Sequence, residues 1–74
     1  MPKLPAISGK KVIKKLEKIG YSSIRQKGSH VRLRNSDNLD CKPITVPVHK
    51  IIKPGLLCKI IKDADLSVEK FINL

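Results

Sequence analysis

The chain has 74 residues, with 16 Lys or Arg against 6 Asp or Glu, and carries a net charge of +10 when both histidines are neutral. A sequence this short forms at most one domain, expected to span residues 1–74, and its 41% hydrophobic content furnishes one small core. Such a domain hides only ~60% of its unfolded surface, which excludes a Rossmann fold, a barrel or a deep cofactor pocket and leaves any chemistry to the surface.

Residues Met1 to Ile7 include Pro2 and Pro5 and read as an extended arm. Ser8 is a good N-cap, and Val12, Ile13, Leu16 and Ile19 recur as one apolar helical stripe. Gly20 stands where a left-handed C-cap residue belongs, so the spacing predicts a helix over about Gly9 to Ile19. Its other face carries Lys10, Lys11, Lys14, Lys15 and Lys18 as a cationic ridge. The period then changes to two. Tyr21 to Gln26 is a predicted first strand, with Lys27-Gly28 as a tight turn. From His30 to Arg34, Val31 and Leu33 face one way while His30, Arg32 and Arg34 face the other. Asn35-Ser36-Asp37-Asn38 is dense in turn formers, and a third strand is predicted around Ile44-Thr45-Val46, between Pro43 and Pro47. Pro54 suits a helix first turn, and Leu56, Leu57, Ile60, Ile61 and Ala64 mark a second amphipathic helix. Ser67 caps a last short helical turn bearing Val68, Phe71 and Ile72. The predicted class is α+β, an α-β-β-β-α two-layer sandwich with a short C-terminal helix, both main helices on one face of an antiparallel sheet.

The charge is unevenly placed. Ten basic residues against Glu17 alone precede Ser36, whereas six basic and five acidic residues follow, so nine of the ten net charges lie in the first half. That asymmetry points to a polyanionic partner, nucleic acid ahead of membrane. No signal peptide, transmembrane span or lipid-anchor motif is found, and the expected location is the cytoplasm. Cys41 and Cys58 then read as reduced apolar fillers. Cys41, His49 and Cys58 lack paired zinc-ligand spacing, so no metal or other cofactor is expected.

Several catalytic patterns fail. A P-loop would need Gly at position 4 and Ser or Thr at 11, which hold Leu4 and Lys11. A triad drawn from Ser29, His30 and Asp37 is opposed by the alternation that sends adjacent strand residues to opposite faces. Tyr21 and Phe71 are the only aromatics, too few for a stacking platform, so binding rests on Lys and Arg contacts to phosphate. An isolated Lys-rich helix face is commonly just solvated, but this one accompanies Arg25, Lys27, Arg32 and Arg34. His30 shares a predicted face with Arg32 and Arg34. Neighbouring cations disfavour imidazolium and would hold a phosphodiester beside a neutral base, as RNA cleavage through its own 2′-hydroxyl requires. Gly28 lets backbone approach the ribose-phosphate. His49 is a second candidate, a proton donor or equally an exposed loop residue.

Gln26-Lys27-Gly28-Ser29-His30, Thr45-Val46-Pro47-Val48-His49, Lys53-Pro54-Gly55-x-Leu57 and Leu66-Ser67-Val68-Glu69 resemble the HicA family of mRNA interferase toxins. Leu4-Pro5 and Ser8-Gly9-Lys10 through Leu16-Glu17 resemble it as well, so the likeness spans nearly the whole chain. The resemblance implies a fold similar to the double-stranded RNA-binding domain, metal-independent endoribonuclease activity on mRNA, and inhibition by a HicB-like antitoxin. It puts the catalytic histidine at His30, its preceding glycine at Gly28 and a secondary histidine at His49. The RNA-contacting candidates are Lys10, Lys11, Lys14, Lys27, Gly28, Ser29, Arg32, Arg34 and Lys53. Two positions depart from the family pattern, Leu56 where Thr is frequent and Asp65 where Gly is frequent, and neither is expected to touch His30. The rival expectation is a non-catalytic module for double-stranded RNA, which would need the lysines but not His30.

Overall fold

A computed structural model describes residues 4–74, so positions 1–3 of the expected arm lie outside the described residues. The elements follow in the predicted order: α1 (Gly9–Glu17), β1 (Tyr21–Lys27), β2 (His30–Asn35), β3 (Ile44–Pro47), α2 (Pro54–Asp63) and α3 (Val68–Ile72). The strands form one antiparallel sheet in the order β1-β2-β3. Val31, Leu33, Ile44 and Val46 point to its inner side, where they meet Val12 and Leu16 of α1, Leu57, Ile60 and Ile61 of α2, and Phe71 of α3. α1, β2, β3 and α2 thereby bury their apolar faces, whereas β1 contributes only Tyr21. A fully buried Leu or Phe contributes about 1.5–3 kcal/mol, so each such side chain matters in a core this small.

α1 begins where Ser8 Oγ accepts from the Lys11 amide at 3.3 Å. Gly9 is required by crowding rather than by its dihedral. Its amide donates to the His49 carbonyl at 2.9 Å, and a Cβ there would run into the Pro47 carbonyl. The helix ends two residues sooner than predicted, and Gly20 leads into β1 at a φ of 104°.

Two polar side chains, cross-strand partners of each other, fix one end of the β1–β2 hairpin. Asn35 is 2% exposed; its Nδ2 donates to the Ile19 carbonyl at 3.0 Å, and its Oδ1 accepts from the Asp37 and Asn38 amides. The residue expected to begin a turn therefore also ties that turn to the end of α1. Tyr21 donates its hydroxyl to the Lys42 carbonyl at 2.7 Å. Burial, aided by Cys41 and Asp63, pushes the Tyr21 hydroxyl well above its ordinary pKa, so it remains a donor.

The C-terminus of α2 closes with a reciprocal pair of hydrogen bonds: Leu66 amide to Ile61 carbonyl at 3.1 Å, and Asp65 amide to Lys62 carbonyl at 3.0 Å. This Schellman arrangement places Asp65 at a φ of 58°, the left-handed position usually given to Gly. Ser67 caps α3 by accepting from the Lys70 amide at 3.1 Å. One of the five ridge lysines proves structural. Lys15 Nζ donates to the carbonyls of Phe71, Ile72 and Leu74 at 3.3, 3.2 and 2.9 Å, and lies 5.4 Å from the Phe71 ring centroid. Its charge is thus spent on the C-terminal end of α3.

Candidate functional site

The outer face of the sheet is uncovered by helices and carries the charge. Along β2, His30, Arg32 and Arg34 are exposed while Val31, Leu33 and Asn35 are buried, as the alternation requires. What β1 adds to this face depends on a bulge. Ser23 pairs with Leu33, but Arg25 pairs with Arg32, so Ile24 and Arg25 together oppose one residue of β2. Beyond the bulge Lys27 stands directly opposite His30. An unbroken register from Ser23 would have set Gln26 opposite His30 and turned Lys27 to the other face.

The hairpin turn is Gly28-Ser29 rather than the predicted Lys27-Gly28. Gly28 has a φ of 59° and Ser29 does not share a positive value, the pattern of a two-residue II′ turn with Gly first. Lys27 is therefore a strand residue. A Cβ on Gly28 would meet nothing within 4 Å, so the turn leaves open space beside the site.

Arg25, Lys27, Gly28, Ser29, His30, Arg32 and Thr45 line one shallow, open depression. Three cations surround the imidazole there, and no carboxylate lines the wall. Arg32 is held in place, donating from Nη1 to Thr45 Oγ1 at 3.0 Å. Thr45 was not among the sequence candidates. Its signal is the antiparallel register that puts it opposite Arg32, which no single-strand pattern reveals. On the other side of His30, a second depression runs to α2 and is lined by Thr45, Pro47, Leu56, Lys59 and Asp63. Leu56 thus shares a groove with His30 and lies nearer to it than its sequence position indicated.

The remaining candidates lie elsewhere. Arg34 faces a third depression beside Ile24 and Leu39. Lys10, Lys11 and Lys14 are exposed on α1, which packs against the inner side of the sheet, and none lines the His30 depression. The lysine ridge and the strand cations therefore do not form the single patch that their closeness in sequence indicated. Lys53 is the exposed N-cap residue of α2. His49 is exposed in the loop after β3, and its backbone carbonyl anchors Gly9; it lines neither depression that holds His30. Among the described residues, no three His, Cys, Asp or Glu side chains gather in a way that could hold a metal ion. No helix among them is long and apolar enough to cross a membrane.

The bare face of this small helix-backed sheet thus sets one histidine among three cations. The sequence pattern of the HicA toxin of bacterial toxin-antitoxin systems matches residues 9–66, and the chain belongs to that family. No curated protein gave a match. The matched span includes all six residues of the His30 depression contributed by β1, β2 and their turn, as well as Thr45.

Proposed function

We propose that this toxin is a metal-independent endoribonuclease that cleaves mRNA with His30 as its acid–base residue. The observation that supports this most directly is the convergence of Arg25, Lys27 and Arg32 around His30 on the open sheet face. His30 takes the proton from a ribose 2′-hydroxyl, and that oxygen attacks the adjacent phosphorus. The bond to the 5′-oxygen breaks, and the leaving oxygen takes a proton from water while the His30 imidazolium returns its own to solvent, giving a 2′,3′-cyclic phosphate and a 5′-hydroxyl. Arg25, Lys27 and the tethered Arg32 stabilise the charge that builds on the phosphoryl oxygens. The nucleophile belongs to the substrate, so a shallow surface suffices. The open turn at Gly28-Ser29 gives the ribose-phosphate room. Lys10, Lys11, Lys14 and Lys53 act at longer range by raising the local concentration of RNA. The toxin works in the cytoplasm, and a HicB-like antitoxin neutralises it.

His30→Ala should lower cleavage of a single-stranded message by about 10²- to 10⁴-fold, the usual contribution of a general acid–base residue. RNA affinity should stay within a few-fold, and EDTA should leave the wild-type rate unchanged. Undiminished cleavage by the variant would sink the mechanism. His49→Ala should cleave nearly as fast as wild type.

The exposed lysines on α1, apart from His30, favour a second reading as a non-catalytic module for double-stranded RNA within a fold similar to that domain. There, His30→Ala changes nothing and Lys14→Ala weakens binding, so the same assay separates the two.

A further inference from the structure

Among the described residues, four large apolar side chains are notably exposed: Ile24 at 58%, Leu39 at 84%, Ile51 at 62% and Ile72 at 37%. Two of them, Ile24 and Leu39, line one depression together with Arg32, Arg34 and Pro43. The bulge explains how Ile24 arrives there. It presents Ile24 and Arg25 against the same Arg32, so Arg32 is shared between an apolar depression on one side and the His30 depression on the other. His30, Arg32 and Arg34 recur at every second residue, about 6–7 Å apart along the strand. That separation is comparable to the step between neighbouring phosphates of an extended RNA strand. A strand with its scissile phosphate at His30 and Arg32 would bring its next phosphate to Arg34 and its next base over Ile24 and Leu39.

We propose that the depression formed by Ile24, Leu39 and Pro43 between the Arg32 and Arg34 guanidinium groups is a subsite for one unpaired nucleobase, flanking the cleaved phosphate. The inference rests on the endoribonuclease reading and adds to it a place where a base is held. Bases stack on aromatic rings and on guanidinium planes, and Ile24 and Leu39 add apolar surface beside the two guanidinium groups here. Both aromatics are buried, Tyr21 at 3% and Phe71 at 0%, so aromatic stacking is closed to this protein. Continuity with the His30 depression through Arg32, and the positive charge at its edges, select a nucleotide as occupant. Two apolar side chains fall well short of the ~1,000 Å² that a stable protein interface needs.

The test uses the intact His30→Ala protein, so that RNA is bound without being cut. Its affinity for a short oligoribonucleotide is compared with that for an abasic oligomer of equal length and charge. The base-bearing strand should bind roughly fivefold tighter or more, the low end of stacking energies per base. In Ile24→Ser/Leu39→Ser the preference should shrink to less than twofold with an unchanged salt slope, while Ile24→Leu should retain it. Equal binding of the two oligomers by the parent, or a preference that survives the double substitution, overturns the proposal. So does a double variant that alters self-association or antitoxin binding and leaves base preference alone. A wild-type protein that cuts no RNA but prefers the base-bearing strand would refute the nuclease reading and leave the subsite standing.

Discussion

Asp65 occupies a backbone position that suits it poorly. A residue with a Cβ pays to sit in the left-handed region, less for Asp than for most because its short side chain is tolerated there. The two hydrogen bonds closing α2 hold it at a φ of 58° regardless. Asp65→Gly should therefore raise stability by about 0.5 kcal/mol, part of the relief being lost to the freer unfolded chain. For a domain of this size that is a rise of about 2–4 °C in Tm, readable by thermal denaturation; a lower Tm would contradict this account. The resemblance marked Asp65 as a departure from a frequent Gly, but only the backbone shows why Gly is frequent. Gly9 makes the converse point. Nothing in Ser8-Gly9-Lys10 shows that the glycine admits the Pro47 carbonyl, because that contact joins α1 to a strand nearly forty residues onward.

Among the elements, α1 and β2 were the most legible, since their apolar spacing coincides with what the core buries. The fate of Lys15 was not. It looked like one of five equivalent ridge lysines, yet it lies three residues after Val12 and borders the buried stripe. Its partners are Phe71 and Ile72 of α3 and Leu74 just beyond it, more than fifty residues away. Lys15→Met should keep the stem that covers Phe71 and lose the three donated bonds, destabilising the protein by about 1 kcal/mol. Hydrogen exchange should show α3 opening more readily, while RNA affinity and its salt dependence stay unchanged. Reduced RNA affinity in a folded variant would return Lys15 to the binding surface. The bulge in β1 was equally hidden. Tyr21 to Gln26 reads as an ordinary strand, and only pairing against β2 shows that Ile24 is the extra residue. His30 and Arg32 could be placed on one face from the sequence, whereas the β1 cations that join them, Arg25 and Lys27, follow from that one insertion.

At the scale of the whole molecule, charge was legible in amount but not in arrangement. Apart from Lys3, which lies outside the described residues, the charges before Ser36 divide between α1 with its C-cap and the outer sheet face, on opposite layers, and Lys15 is tied to the C-terminal end of the chain. A single RNA strand seated on the sheet face meets Arg25, Lys27, Arg32 and Arg34. Log affinity should then fall against log salt with a slope of about −2 to −3, from ~0.7 per phosphate contact. A slope of about −5 or steeper in a filter-binding titration would mean that the helix lysines bind simultaneously. The β1 bulge has a further consequence at this scale. β1 is an outer strand of the sheet, with one margin free to pair. An uninterrupted margin would template another chain's strand. With an extra residue at Ile24 and positive charge at Arg25 and Lys27, a second copy finds neither a continuous hydrogen-bond ladder nor a neutral approach. The irregularity that arranges the site thereby also makes the β1 margin a poor template for the strand of another chain.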